Sequence, residues 1–291
     1  MTDNRYRLID FGEGRKLESV GGYLIDRPSP AASWSKRQSP ENWQRADAHF
    51  DADRRKWTYH NPWPTDQLVD CDGFQMPFVS TPFGHIGVFP EQFDNWRWLC
   101  KPVITEPSED PSSVPTKPAA LNLFGYTGAS TMVLIKAGYQ VAHVDAAKPN
   151  VQAVRGVATS NGWPDPPIRY LIDDAAKFAA REVRRRRMYH TIVMDPPAYG
   201  HGPNGRAWRL DRDIWPLLDD CLRLVDPKRF RMLISGHSPE VDHSDIVTYL
   251  AQSDLIDTTG LRIDTGRSQL IDEGGRSLDA GFYVRIETID A

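Results

Sequence analysis

The sequence has 291 residues, of which 40% are hydrophobic and 25% charged, and its formal net charge is −4 at pH 7. This length is sufficient for one large α/β domain and a smaller module, and the composition is that of an ordinary globular chain. The charge excludes a basic surface over the whole chain, so any contact with nucleic acid has to be local.

Cysteine usage and hydropathy predict a cytoplasmic protein. The three cysteines, Cys71, Cys100 and Cys221, form no C-x-x-C pair, which speaks against zinc and disulfides and favours a reducing compartment. No apolar run approaches the ~20 residues that cross a bilayer, and the first residues are charged where a signal peptide would be apolar. We therefore expect no metal ion and no membrane partner, and the sequence indicates no oligomeric state.

Residues 1–104 are predicted to form a small β-rich domain with its lead-in segment. Short extended runs such as YRLIDF, GGYLIDR and KWTYH alternate there with Gly, Pro, Asn and Asp, as in irregular β modules. Its aromatic residues fit either a substrate-recognition surface or a hydrophobic core. Residues 104–120 are rich in Pro, Ser and acidic residues and predict an exposed connection.

From residue 121 onward, strands alternate with helices. The predicted strands are 121–124, 140–144, 168–172, 190–194 and 231–234, and the predicted helices are 130–137, 149–160, 175–187, 212–225 and 244–252. Two late extended runs, 258–263 and 281–286, can pair antiparallel at a sheet edge. Such alternation gives a parallel sheet covered on both faces. Residues 105–291 are therefore predicted to form a seven-stranded, doubly wound, Rossmann-like α/β domain.

The first of these strands runs into the glycine-rich turn Gly125-Tyr126-Thr127-Gly128. Glycine allows a tight turn and a close approach to a ligand. About twenty residues further on, the next strand ends at Asp145, where a carboxylate can accept hydrogen bonds from ribose hydroxyls. The alternative is that the glycines only make a turn and Asp145 caps a helix. Their order and spacing favour a nucleoside-containing cofactor.

The turn departs from the dinucleotide pattern G-x-G-x-x-G, because it has two glycines three apart and no third. Without a cradle for a diphosphate, the pattern favours an adenosine cofactor that carries no phosphate, which is S-adenosylmethionine. The third strand ends in Asp173-Asp174-Ala175. Asp174, or otherwise Asp173, is placed to accept a hydrogen bond from the adenine amino group, and helix capping is the alternative for both.

The fourth strand ends abruptly in Asp195-Pro196-Pro197-Ala198-Tyr199, and a loop is predicted through residue 205. Proline ends a central strand and makes the chain rigid. The Asp195 carboxylate and the Pro196 carbonyl can accept hydrogen bonds from a base or an amine, and the Tyr199 ring can stack on it. The alternative is a strand-terminating turn with a buried tyrosine.

This motif series resembles that of the class I S-adenosylmethionine-dependent methyltransferases. NLFGYTG together with DPPAYG is similar, more narrowly, to the large-subunit ribosomal RNA methyltransferases that modify cytosine C5 or guanine N7. The stretch FGHIGVFPEQFDNWRWL (83–99) resembles their segment ahead of the cofactor domain, although PEQ departs from the usual acid-x-arginine ending. The resemblance spans about residues 80–286.

The resemblance implies a set of site residues. Those that would enclose the methionine end of the cofactor are Phe89, Gln92, Phe124, Gly125, Tyr126 and Gly128. Those that would complete the cofactor site are Asp145, Ala146, Asp173, Asp174, Ala175 and Asp195. Those that would orient the acceptor are Asp195, Pro196, Pro197 and Tyr199.

Methylation of cytosine C5 requires a cysteine thiolate beside the substrate. His237 stands after the fifth predicted strand, in SGHSP (235–239), where related C5 enzymes carry a cysteine. No cysteine lies near Asp195 in the sequence, and Cys221 falls on the apolar face of a predicted helix. The chain is therefore predicted to methylate a nitrogen or an oxygen. His237 is a candidate base or substrate contact, with a plain polar turn as the alternative.

Two basic segments bear on the substrate. REVRRRR (181–187) ends a helix, where cations offset the helix dipole, or else it binds phosphates. Arg206, Trp208 and Arg209 follow DPPAYG closely, and arginine beside tryptophan suits phosphates and stacked bases. The sequence predicts an RNA substrate, above all ribosomal RNA. A small-molecule or protein methyltransferase, and a noncatalytic S-adenosylmethionine- or RNA-binding protein, are the alternatives.

Overall fold

The computed structural model describes residues 4–65, 67–101, 117–202 and 207–289. The chain divides into two compact units. The first comprises Met1–Asp94 and Arg267–Ala280, and the second comprises Asn95–Gly266 and Gly281–Ala291. The predicted domain boundary at residue 104 lies outside the described residues and stays a prediction.

The first unit is built on a five-stranded sheet in the order β1-β2-β3-β4-β5, with a separate two-stranded sheet of β6 and β7. The strands are β1 (Tyr6–Gly12), β2 (Arg15–Val20), β3 (Tyr23–Pro28), β4 (Ala48–Asp51), β5 (Lys56–Tyr59), β6 (Leu68–Asp70) and β7 (Gln75–Pro77). Neighbours in the larger sheet are antiparallel except β3 and β4. That parallel pair is connected through a 3₁₀ helix (Pro30–Ala32) and helix α1 (Pro40–Trp43). The prediction of a small β-rich N-terminal part is confirmed.

A buried ion pair lies within this sheet. Glu18 accepts hydrogen bonds from Arg27 at 2.6 and 2.9 Å and pairs with Lys16 at 3.0 Å. Burial alone would raise the pKa of Glu18, but the two cations outweigh it and lower that pKa to about 2. Because opposite charges are in contact, the carboxylate stays ionised inside the unit.

Residues 267–280 complete the first unit from the far end of the sequence. Leu270 and Leu278 pack in a buried cluster with Leu8 and Phe11. Arg276 forms ion pairs with Asp10 and with Asp272, the latter at 2.7 Å. The unit is therefore discontinuous in the chain.

The second unit holds a seven-stranded sheet in the order β10-β9-β8-β11-β14-β16-β15. The strands are β8 (Ala119–Leu123), β9 (Gln140–Asp145), β10 (Ile168–Ile172), β11 (Thr191–Met194), β14 (Arg231–Gly236), β15 (Leu261–Ile271) and β16 (Ser277–Thr288). Strands β8 to β11 and β14 are parallel, whereas β16 pairs antiparallel with β14. The predicted seven-stranded Rossmann-like fold is confirmed.

Helices and two short strands complete the described elements. The helices are α2 (Phe93–Leu99), α3 (Ala129–Lys136), α4 (Lys148–Ser160), α5 (Ala175–Arg184), α6 (Leu210–Leu224) and α7 (His243–Gln252), with 3₁₀ turns at Pro90–Gln92 and Thr258–Gly260. Strands β12 (Tyr199–His201) and β13 (Ala207–Arg209) pair with each other. The loop predicted from residue 199 is therefore wrong over residues 199–201, because pairing to a segment beyond the glycines orders them.

Helix α5 ends three residues earlier than predicted. Its last turn closes with Arg186 N–H donating to Val183 O at 2.9 Å and Arg187 N–H donating to Glu182 O at 3.1 Å. This is a Schellman motif, and Arg186 has the left-handed φ of 54° at the position where glycine is usual. The chain therefore leaves the helix within the arginine run.

The apolar runs of the sequence form the core around the parallel strands. Every residue of β11 is buried, as expected for a central parallel strand covered on both faces. The apolar face of α6 packs against it, and Cys221 on that face is buried, as predicted. The carboxyl ends of β8, β9, β10, β11 and β14 meet at one edge, where open α/β sheets bind ligands.

Candidate functional site

The turn after β8 has a backbone that only glycine fits at two positions. A Cβ on Gly125 would lie 2.4 Å from Cε1 of His143, and a Cβ on Gly128 would lie 2.7 Å from Cγ1 of Val154. Gly128 has φ of 93°, and Phe124 and Tyr126 also have positive φ, 56° and 47°. Non-glycine residues in this region store strain of about 1–3 kcal/mol each and cluster at ligand sites. Glycine at these two positions therefore lets the turn pack closely on the buried His143 and Val154 side chains.

Asp145 ties the end of β9 to this turn. Its Oδ2 accepts from Tyr126 N–H at 2.8 Å, and its Oδ1 accepts from Ala147 N–H at 2.8 Å and from the Asn150 amide at 3.1 Å. A carboxylate offers about four acceptor sites, so ribose hydroxyls can still bind. The alternative of helix capping is also met in part, because Ala147 immediately precedes α4. Asn150 was missed by the sequence reasoning.

The two acids after β10 take different positions. Asp174 is the N-cap of α5 and its Oδ1 accepts from Lys177 N–H at 2.9 Å. Asp173 forms an ion pair with Arg181, and its own N–H donates to Asp145 O at 3.0 Å. The backbone thus joins the ends of β9 and β10, with Ala146 and Ala175 as the next residues of each connection. Which acid meets the adenine stays a prediction.

Asp195 follows β11 and is half-buried. Ser235 Oγ, near the end of the neighbouring strand β14, donates to Asp195 Oδ1 at 2.8 Å. Burial raises the pKa of Asp195, and Ser235 and His237 oppose that shift without cancelling it. Ser235 was missed, because only the parallel pairing of Met194 with Ile234 brings the two side chains together.

The other predicted acceptor-side residues differ in exposure. Pro196 is buried and Pro197 is exposed. The Tyr199 ring is 59% exposed, so the alternative of a buried tyrosine is wrong. His237 is exposed and follows β14 directly.

Trp208 contacts both the segment that follows β11 and the residue that precedes the glycine-rich turn. Its Nε1–H donates to Pro197 O at 2.8 Å, and its ring centroid lies 4.9 Å from that of Phe124. Arg209, predicted to contact the substrate, pairs with Asp211 at 3.1 Å. Arg206 lies outside the described residues. Trp208 therefore connects the glycine-rich turn with the DPPAYG segment in this structure.

Phe89 and Gln92 belong to the first unit, where Phe89 precedes the 3₁₀ helix Pro90–Gln92 and Gln92 is its last residue. Gln92 is buried, and the Phe89 ring lies 5.6 Å from that of His85. Their role beside the cofactor stays a prediction.

A buried polar chain lies beneath the glycine-rich turn. The Asn122 amide donates to Thr131 Oγ1 at 2.8 Å, and Thr131 Oγ1 lies 2.9 Å from His143 Nδ1. Burial lowers the pKa of His143 to about 4, so the imidazole is neutral at physiological pH. This polar chain could not be predicted from the sequence, because it depends on the pairing of Asn122 with His143 across β8 and β9.

Within the described ranges, no group of three or more His, Cys, Asp or Glu side chains is placed to hold a metal ion. No helix in those ranges is long and apolar enough to cross a membrane.

These features define a class of protein. The carboxyl edge of the parallel sheet holds the glycine-rich turn next to the Asp145 carboxylate, where the sequence predicts the adenosine part of a cofactor, and the turn offers no third glycine for a diphosphate. Asp195 then adds an acceptor group at the same edge of the sheet. This is the arrangement that the sequence predicts for an enzyme that transfers a group from an adenosine cofactor.

Comparison with solved structures identifies the family. The S-adenosylmethionine-dependent methyltransferase from Agrobacterium tumefaciens is 30% identical over 97% of this chain and 90% of that chain, with a TM-score of 0.86. A candidate methyltransferase complexed with S-adenosylhomocysteine has a TM-score of 0.75 at 13% identity, over 99% and 76% of the two chains. A candidate S-adenosylmethionine-dependent methyltransferase from Streptococcus mutans has a TM-score of 0.72 at 12% identity, over the same shares. No protein-family model and no curated protein sequence matches the chain.

The chain belongs to the S-adenosylmethionine-dependent methyltransferases. It is an enzyme, and its cofactor is S-adenosylmethionine.

Proposed function

We propose that the protein methylates a nitrogen or an oxygen of RNA, above all ribosomal RNA, and does so without a covalent C5 adduct. The observation that carries the proposal is the Asp195–Ser235 pair at the edge that also holds the glycine-rich turn. S-adenosylmethionine supplies an electrophilic methyl group, so the protein mainly has to position the acceptor atom.

One group of residues binds the cofactor and a second group binds the methyl acceptor. Gly125, Gly128, Asp145 and one acid of the 173–174 pair hold the cofactor. Asp195 Oδ2 and the Pro196 carbonyl accept hydrogen bonds from the acceptor amine or hydroxyl, since Ser235 already binds Oδ1. The exposed Tyr199 ring offers a stacking surface for a base.

The thiols support the noncovalent route. Cys71 and Cys221 are buried, and burial raises the pKa of both thiols well above the ordinary value. A nucleophilic cysteine needs a lowered pKa and access to the substrate. Cys100 is exposed, but the carbonyl of the next residue, Lys101, accepts a hydrogen bond from Arg231 at the start of β14, whereas Ser235 and Asp195 lie at the other end of the paired strands.

We predict that methyl transfer survives the loss of each thiol. Cys100→Ser, Cys71→Ala and Cys221→Ala should each keep kcat within about threefold of the wild-type value, because no thiolate enters the reaction. Single-turnover transfer from labelled cofactor measures this, with melting curves to correct for the buried positions. A loss of more than a hundredfold in a folded variant would identify a covalent nucleophile.

RNA is favoured as substrate by the resemblance of NLFGYTG and DPPAYG to ribosomal RNA methyltransferases and by the arginine run at 181–187. A small-molecule or protein substrate is the second candidate, favoured by the net charge of −4 and by the pairing of Arg209 with Asp211. The cysteine usage further supports a cytoplasmic location.

One experiment tests the substrate class. RNA, protein and metabolites are prepared as three fractions from a strain that lacks the gene. Each fraction is incubated separately with the purified protein and methyl-labelled S-adenosylmethionine. Label in RNA at a single nucleotide is the expected result. Label only in protein or metabolites contradicts the RNA assignment, and no label in any fraction, with cofactor binding intact by calorimetry, contradicts the transfer itself.

A further inference from the structure

We propose that the edge of the seven-stranded sheet opposite the cofactor turn binds the phosphates of the RNA substrate. The basic edge consists of Lys117, Arg184, Arg186, Arg187 and Lys228, all of which are exposed. The inference rests on the proposed function, and it adds a second contact surface and a requirement for an extended substrate.

The strand pairing brings these residues side by side. Strands β8, β11 and β14 are neighbours, with Thr191 paired to Ala120 and to Arg231. Just before the strands, His190 N–H donates to Ala119 O and Arg231 N–H donates to His190 O, both at 2.8 Å. Because neighbouring strands lie about 4.8 Å apart, the segments that carry the basic residues enter the sheet side by side at one edge, and these basic residues are called the row.

The arginine run contains two kinds of arginine. Arg181 pairs with Asp173, and Arg185 pairs with Glu182 at 3.0 Å. The guanidinium groups of Arg184, Arg186 and Arg187, by contrast, make no hydrogen bond and no ion pair among the described residues. These three groups are available to an external anion.

Acidic side chains near the row are few, and two of them have ion-pair partners. Asp226 lies 3.9 Å from His190 and accepts from Lys228 N–H, and Asp220 pairs with Arg223 at 3.4 Å. Asp165 shares a cavity with Lys117. The row keeps an excess of positive charge on a chain that is acidic overall, which is the electrostatic footprint of a nucleic-acid contact.

The backbone conformation of Arg186 indicates that its side chain is not needed to end helix α5. Arg186 occupies the left-handed position of the Schellman motif, where glycine has no steric penalty and a side chain has one. Offsetting the helix dipole needs only the cations inside the last turn, which Arg181 and Arg184 supply. An arginine at this strained position therefore adds a charge that the fold does not need.

A cavity of about 560 Å³ continues the row at the starts of β9 and β10. Lys117, Lys136, Trp163 and Pro167 are among its lining residues. An indole wall with two ammonium groups suits an unstacked base and its phosphate. Lys117 belongs to both the cavity and the basic edge, so one strand of RNA can follow both.

The distance between the two surfaces limits the substrate. Strand β11 has four residues and spans roughly 13 Å at about 3.3 Å per residue, and the basic residues lie beyond its far end from Asp195. A mononucleotide cannot reach across that length, whereas a strand of several nucleotides can. The substrate class that fits is a polynucleotide.

The test compares the triple variant Arg184→Gln/Arg186→Gly/Arg187→Gln with Arg54→Gln, a control whose side chain is 83% exposed in the turn between β4 and β5 of the first unit. The probe is a labelled 20-nucleotide single-stranded RNA of mixed sequence, followed by fluorescence anisotropy over a salt series. Losing three phosphate contacts should reduce the slope of log K against log salt by about 2 and weaken binding at least tenfold near 0.1 M salt. The control should stay within twofold. An unchanged slope in the triple variant overturns the proposal.

Two single variants sharpen the result. Arg186→Gly should raise the melting temperature by roughly 2–4 °C, because the left-handed backbone is relieved, while it weakens RNA binding about threefold. A rise in melting temperature with unchanged binding assigns the arginine to the helix alone and overturns its role. Trp163→Ala should weaken binding with an unchanged salt slope, and unchanged affinity removes the cavity from the proposal.

Failure of this inference differs from failure of the proposed function. If the wild type methylates RNA and the triple variant has the same activity and the same RNA affinity, the role of the basic edge is overturned and the proposed function is retained. RNA binding that falls in the triple variant, with no methyl label in RNA, supports the basic edge and contradicts the function. Absence of RNA binding by the wild type, or tighter binding to a duplex DNA of equal length, overturns the basic edge as an RNA site.

Discussion

Replacing Asp195 with alanine is expected to lower kcat for methyl transfer by about 10²- to 10⁴-fold while the affinity for S-adenosylmethionine stays nearly unchanged. Asp195 Oδ1 accepts from Ser235 Oγ at 2.8 Å, which fixes the carboxylate and leaves its Oδ2 open to the acceptor. Without it, the acceptor loses its hydrogen bond and its orientation. Calorimetry for the cofactor and single-turnover transfer measure the two quantities separately, and unchanged turnover would refute the role of Asp195.

The same carboxyl sets a pH dependence. Transfer requires the ionised form as hydrogen-bond acceptor, and burial raises the pKa of Asp195. Activity should therefore rise with pH through a value above that of an ordinary aspartate. Ser235→Ala removes a hydrogen bond that lowers this pKa, so the rise should move to higher pH. A merely structural serine would leave the position of the rise unchanged.

The contribution of the Asp195 carboxyl to the stability of the fold should fall with rising pH, whereas activity rises. A carboxyl whose folded pKa exceeds its unfolded pKa stabilises the fold at low pH and loses that contribution as pH rises through the folded pKa. Asp195→Asn should therefore melt at a higher temperature than the wild type at pH 7, although it transfers methyl groups poorly. An equal or lower melting temperature would contradict the burial of an unfavourable charge.

Gly125→Ala is expected to weaken cofactor binding more than a hundredfold and to destabilise the fold by about 1–3 kcal/mol. The new Cβ would lie 2.4 Å from the imidazole of His143, a buried side chain that cannot swing aside. The turn would then have to shift, and with it the Tyr126 N–H that binds Asp145. Calorimetry and thermal melting measure both effects.

A double variant tests whether the clash with His143 causes the loss of cofactor affinity. His143→Ala makes room for the Cβ, so Gly125→Ala/His143→Ala should bind the cofactor more tightly than Gly125→Ala alone. Gly156→Ala is the matched control, because a Cβ there meets nothing within 4 Å in α4. It should leave binding unchanged and stabilise the helix by up to about 1 kcal/mol. Equal weakening by both glycine variants would show that flexibility, not the clash, matters.

The architecture of the second unit followed from the sequence because its central strands are apolar on both faces and alternate with amphipathic helices. The last two strands are longer than predicted. β15 and β16 carry polar and glycine residues around positions 264–280, since one part of each strand belongs to the smaller unit. A single hydrophobic period cannot describe a strand that serves two cores.

The residues of the candidate site could be proposed from the sequence where they have a fixed spacing along the chain. Glycine at 125 and 128 and an acid twenty residues later are separated by a fixed strand–helix–strand length. Ser235 and His143 could not be predicted, because their contacts arise from the register of strands that are distant in sequence. Asp174 shows the remaining ambiguity, since one carboxylate can cap a helix and also face a ligand.

The hairpin formed by β15 and β16 has a consequence for protein engineering. A fragment that starts at residue 95 would expose Leu270 and Leu278 and leave Arg276 without Asp10, because their partners precede that cut. Transplanting the smaller module onto a related enzyme therefore requires two grafts, one at the start of the gene and one at 267–280. An end-to-end fusion that carries only residues 1–94 leaves out the part of the first unit at 267–280, so the two chain segments of that unit must be exchanged together.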